Sequence, residues 1–126
     1  MTTIPAGFSR HTRSSAVTNP WEPIFANPEP GSVRLGLIIG EQHCNSRGFL
    51  HGGVIAALAD NAMGLTLSSV RTGPGNVVTT ALSLDYFGTS RLGQWLEIVP
   101  RVVSIGRSSG IVDAIVRANA TFRVLT

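Results

Sequence analysis

Three features at fixed spacings concentrate the chemistry available to this chain: Asn45, the run His51-Gly52-Gly53, and a lone carboxylate, Asp60, nine residues after the histidine. A glycine pair opening a helix leaves backbone N–H groups unpaired, and the helix dipole makes that end attractive to negative charge. A carboxylate in apolar company on the same helix is costly to keep unless it does something. An anion-stabilising turn and an acid on one element therefore mark the place to look for function. Asn45 lies six residues before the histidine, in the polar stretch 41–48 that feeds the helix.

The element that must position these groups spans 49–70, FLHGGVIAALADNAMGLTLSSV. Leu50, Val54, Ala57 and Leu58 recur at spacings of three and four, and Met63, Leu65 and Leu67 continue the run, which is helical periodicity. Ala56, Ala57, Ala59, Ala62 and Gly64 allow close packing, and the apolar character nearly all round predicts a helix wrapped by its sheet. Residues 33–39, 77–87, 94–105 and 111–125 read as strands, with Pro100 implying a bulge or an edge position in the third. The turns between them fall at 71–76, 88–93 and 106–110, and Asn19-Pro20-Trp21 suits a short helical turn. Trp21, Phe25, Met63 and Phe87 are expected in the core. One long helix followed by a run of strands argues an α+β domain over 19–126, preceded by a loose N-terminal arm over 1–18.

A chain of 126 residues supports one core. Its 43% hydrophobic content suggests apolar surface hidden in an oligomer. The net charge is +3, and all ten basic residues are arginines scattered without clusters, which argues against a nucleic-acid stripe. The single cysteine, Cys44, excludes an intramolecular disulfide framework and is expected as a small buried hydrophobe. His11, His43 and His51 form no metal-ligand spacing. No stretch reads as a signal peptide or a membrane span, so a cytoplasmic protein with no membrane partner is expected.

Asn45, the HGG run and Asp60, with the LADNA segment at 58–62 and TTALSLDYF at 79–87, resemble the hotdog-fold acyl-CoA thioesterases, in the branch typified by phenylacetyl-CoA thioesterase and related to 4-hydroxybenzoyl-CoA thioesterase. GRSS at 106–109 and ATFRVL at 120–125 extend the resemblance, which covers roughly 20–126. It implies an antiparallel sheet of five or six strands around one long helix, hydrolysing an acyl-CoA (aryl or medium-chain) without a cofactor. It implies that the Gly52 N–H donates to the thioester oxygen, that Asp60 is nucleophile or general base, and that Asn45 positions the water or the carbonyl. It also implies a dimer, or a tetramer, in which Asp60 of one chain faces Asn45, His51 and Gly52 of the other.

His51 is open between a donor to the thioester and a ring that caps its own turn. Thr79 matches a position beside the attacking water, and Thr80 points to the opposite face. Gly53, Leu50, Thr80 and Phe87 are expected along the substrate, and Arg107 against the coenzyme A phosphates; Asn61 is expected to be structural. One departure stands out: the family's last two strands are here compressed into 111–125, so either a tight turn lies near Asp113-Ala114 or one strand is shortened or missing. The competing reading is a non-catalytic acyl-CoA-binding module on the same fold, which would have no need of Asp60. A serine hydrolase is disfavoured, since no G-x-S-x-G occurs, and a hotdog dehydratase would want a different His–acid pattern.

Overall fold

A computed structural model describes residues 2–119. Its centre is one 19-residue helix, α1 (Gly52–Val70), laid across a five-stranded antiparallel sheet. The strands are β1 (Ser9–Arg10), β2 (Phe25–Glu29), β3 (Ser32–Ile38), β4 (Trp95–Ile105) and β5 (Gly110–Asn119), and their order across the sheet follows the chain. This is the α+β arrangement expected from the helix and strand patterns, and the hotdog fold that the resemblance implied.

The helix buries one face. Val54, Leu58, Ala59, Ala62 and Thr66 are its buried residues, and they meet Leu35, Leu37, Leu96 and Ile98 from the sheet. These residues recur at spacings of three and four along one stripe, and the sheet packs around that stripe. By length and composition alone α1 is apolar enough to cross a membrane, contrary to the sequence reading, but its buried stripe is the protein core. Thr66 is the polar member of that stripe, and its Oγ1 accepts the Val33 N–H at 2.9 Å, tying the helix to the start of β3.

The other sheet face is built around Trp95, which receives Phe8 edge-on at a centroid distance of 5.0 Å. Its indole N–H donates to the buried Glu97 at 3.0 Å, and Glu97 also meets Arg34 and Arg117. A Cβ on Gly36 would come within 2.2 Å of the Trp95 ring, so only glycine fits beneath it. Thus residues of the expected arm are laid on the domain: Ser9 and Arg10 pair with Ala26 and Phe25, and Phe8 packs on Trp95.

Three strand expectations change. Residues 77–87 form no strand: the segment enters no ladder among the described residues. The reason lies in β5, which runs unbroken through Asp113 and Ala114, paired with Arg101 and Pro100, so there is no turn there and no further strand beside β5 among the described residues. A gap of about 680 Å³ separates β5 from 83–90. Residues 120–125, the rest of the expected last strand, lie outside the described residues. In β4 the register shift falls between Val102 and Ser104 rather than at Pro100, which sits beyond the last β3 partner, Ile98, at the edge position that tolerates proline.

Candidate active site

The loop leading into α1 is fixed from both sides. Asn45 Oδ1 accepts the N–H groups of Arg47 at 3.0 Å and Phe49 at 3.2 Å, and the Asn45 N–H donates to the Phe49 carbonyl. Its carboxamide nitrogen has no protein partner among the described residues and faces outward. Below it, buried His43 accepts the Gly40 N–H on Nδ1 and donates from Nε2 to the Trp21 carbonyl, both at 2.8 Å. That histidine is a structural strut, which explains its presence without any metal.

His51 is the residue that caps α1. Its Nδ1 accepts the Gly53 N–H at 2.8 Å, and its carbonyl accepts the Val54 and Ile55 N–H groups at 3.1 and 3.3 Å. The capping alternative is therefore realised, and Gly53 spends its N–H on the ring, not on a ligand. Of the first-turn donors, the Gly52 N–H alone has no acceptor among the described residues, and it lies at the positive end of the helix dipole.

Asp60 lies two turns further along, half-buried. Thr79 donates its hydroxyl to Asp60 Oδ1 at 2.6 Å, leaving Oδ2 without a partner among the described residues. A cavity of about 250 Å³ opens over this pair, lined by Arg13, Ser14 and Ser15 of the N-terminal segment together with Asn61, Ser68 and Val77. Asn61 thus reaches the Asp60 cavity, contrary to its structural reading, and the arm residues at its rim carried no sequence signal.

Other expected site residues fall elsewhere. Leu50 is 7% exposed and belongs to the core cluster, so it is packing and not a substrate contact. Phe87 is 97% exposed, so it is not a core residue, because the segment that carries it has lost the ladder that would turn it inward. Thr80 lines two small cavities apart from the Asn45–Gly52 loop, one of which also takes in Asp60 and Thr79. Arg107 is exposed in the β4–β5 turn with no ion-pair partner among the described residues. Cys44 is half-buried, and burial first and then Glu41 push its thiol above the ordinary range. Tyr86, which the sequence reading passed over in favour of its neighbour, donates its hydroxyl to the Gly52 carbonyl at 2.8 Å.

Within one chain the groups form two clusters. Asn45, His51 and Gly52 stand at the start of α1. Asp60 and Thr79 stand eight residues on, about 12 Å along the axis at 1.5 Å per residue.

The thioesterase superfamily model matches residues 47–121. A Pseudomonas aeruginosa protein named as an esterase, PA0474, is 35% identical over 115 residues, covering 90% of this chain and 86% of its own. Human acyl-coenzyme A thioesterase 13 is 29% identical over 97 residues, covering 76% of this chain and 68% of its own. Among solved structures, smu.793 from Streptococcus mutans bound to acetyl CoA is 33% identical with a TM-score of 0.65, covering 71% of this chain and 70% of its own. Zebra fish thioesterase superfamily member 2 shares the fold at a TM-score of 0.74, covering 83% of this chain and 76% of its own. The chain belongs to the thioesterase superfamily: it is a hotdog-fold thioesterase.

Proposed function

We propose that the protein hydrolyses acyl-CoA thioesters, of the aryl or medium-chain class, at a site assembled from two copies of the chain. The observation that carries this reading is the separation of the free Gly52 N–H from Asp60 Oδ2. Reacting groups must come within about 3–3.5 Å of one another, and two groups about 12 Å apart on one rigid helix cannot both reach one carbonyl. A second copy running antiparallel brings its Asp60 and Thr79 to the first copy's Asn45, His51 and Gly52.

In that site the Gly52 N–H receives the oxygen of the thioester as it becomes negative. Asp60, oriented by Thr79, uses its free Oδ2 either to take a proton from water as the water attacks the carbonyl carbon, or to attack that carbon itself. The Asn45 carboxamide holds the carbonyl or the water. The carbon–sulfur bond breaks and coenzyme A leaves as the thiol, taking up the proton that Asp60 removed from water; on the covalent route water then hydrolyses the acyl–Asp60 anhydride to free acid and carboxylate and supplies that proton. The roughly 680 Å³ cavity, lined by Ile55, Leu84, Tyr86 and Leu96 but also by Asp85 and Arg117, is of a size to take the acyl group, since ligand pockets run about 300–1,000 Å³. A reducing cytoplasmic setting agrees with the free Cys44.

Thiol release from aryl and straight-chain acyl-CoA substrates tests the activity, with Asp60→Asn as the near-isosteric knockout. Subunit mixing tests the shared site. Asp60→Asn and Asn45→Ala proteins, each inactive alone, regain about a quarter of wild-type turnover when refolded together, because half the dimers are mixed and each carries one intact site. Binding of acyl-CoA without thiol release leaves the non-catalytic module as the function, and mixtures that stay inactive place the whole site in one chain.

A further inference from the structure

We infer that Tyr86 is a positioning residue for the oxyanion donor, holding the Gly52–Gly53 peptide so that the Gly52 N–H keeps its aim. The inference rests on the thioesterase reading and adds to it a residue outside the reacting groups. Two successive glycines at a helix start are the loosest backbone the chain could place there. The peptide unit joining them is gripped at both ends: its carbonyl takes the Tyr86 hydroxyl and its N–H goes to His51 Nδ1, each at 2.8 Å. The Tyr86 ring also lies about 3.4 Å from where any Cβ on Gly52 would sit, so it closes over the glycine as well as bonding to it.

Neither grip uses the Gly52 N–H itself. With Val54 and Ile55 both donating to the His51 carbonyl, the first turn is fully committed except at the one donor left for a ligand. Tyr86 comes from the segment that enters no ladder, and it lines the cavity proposed for the acyl group. Its hydroxyl thus links what fills that cavity to the peptide unit next to the one that carries the Gly52 N–H.

Tyr86→Phe removes the hydroxyl and keeps the ring. The expected result is a kcat lower by about tenfold, short of the roughly 100-fold that a 1 Å misplacement brings, with KM held within about twofold. Amide hydrogen exchange of the same variant should show the Gly53 N–H exchanging about tenfold faster while the Ala59 and Ala62 amides keep their wild-type rates. An unchanged kcat, an effect on KM alone, an unchanged Gly53 amide, or equal acceleration at Ala59 and Ala62 overturns the inference, the last by showing general loosening. Should the wild type hydrolyse no acyl-CoA, the thioesterase reading fails, and the Gly53 exchange result alone decides whether Tyr86 positions the turn.

Discussion

At Asp60 the two carboxylate oxygens differ: Oδ1 accepts the Thr79 hydroxyl at 2.6 Å, and Oδ2 has no partner among the described residues, as the proposed chemistry requires. Thr79→Ala frees the side chain to rotate, and we expect kcat to fall about tenfold to 100-fold with a melting temperature close to wild type, because Thr79 is exposed and contributes little to packing. Cys44 gives a second test at this scale. Its thiol is raised by burial and by Glu41, so little thiolate is present at neutral pH, and labelling by a disulfide reagent should be slower than for a free thiol; Glu41→Gln should speed it modestly, as seen in the absorbance of the released chromophore. Asn45, His51, Gly52 and Asp60 could be picked out from the chain alone because their spacing is carried by local structure, one loop and one helix. Tyr86 could not, since two adjacent aromatics at the end of an alternating segment do not declare which of them faces the helix until a neighbouring strand, or its absence, is known.

Among the elements, α1 is held to the sheet by apolar contact and by one buried polar link, Thr66 to the Val33 N–H. Thr66→Val keeps the shape and orphans that donor, so a loss of about 1–3 kcal/mol in urea unfolding is expected. On the opposite sheet face Arg101 and Asp113 are directly paired across β4 and β5, with a 2.6 Å contact. The hydrogen bond from Arg101 holds the Asp113 carboxyl below its usual range. A depressed carboxyl stabilises the fold above its unfolded-state value and loses that contribution as pH falls through its lowered one. Urea midpoints of wild type and Asp113→Asn should therefore differ slightly at neutral pH and converge in acid; a gap that widens in acid contradicts the pairing. The helix and the strands around β3, β4 and β5 were readable because periodicity is local. The 77–87 strand was not, because alternation states which residues share a face but a ladder needs a partner, and β5 takes up the chain that could have supplied one.

For the whole molecule, the proposed site needs a second copy, and on that proposal sedimentation should find a dimer or a larger even assembly at micromolar concentration. A solution monomer with full turnover would exclude the shared site. The fold class was legible from one helix followed by strands, whereas the expected dimer rested on the family resemblance and on an apolar surplus, since a single chain's periodicity says nothing of a second copy. A consequence for protease sensitivity follows from the 77–87 segment. Two side-chain bonds, from Thr79 and from Tyr86, join it to α1, and both anchor on groups proposed to handle the substrate. Phe87, almost fully exposed beside it, is a ready cleavage site for chymotrypsin. A non-hydrolysable acyl-CoA analogue bound at Gly52 and Asp60 should slow the cut after Phe87 in proportion to occupancy, so that nicking of one peptide bond reports how full the site is without any chemistry taking place.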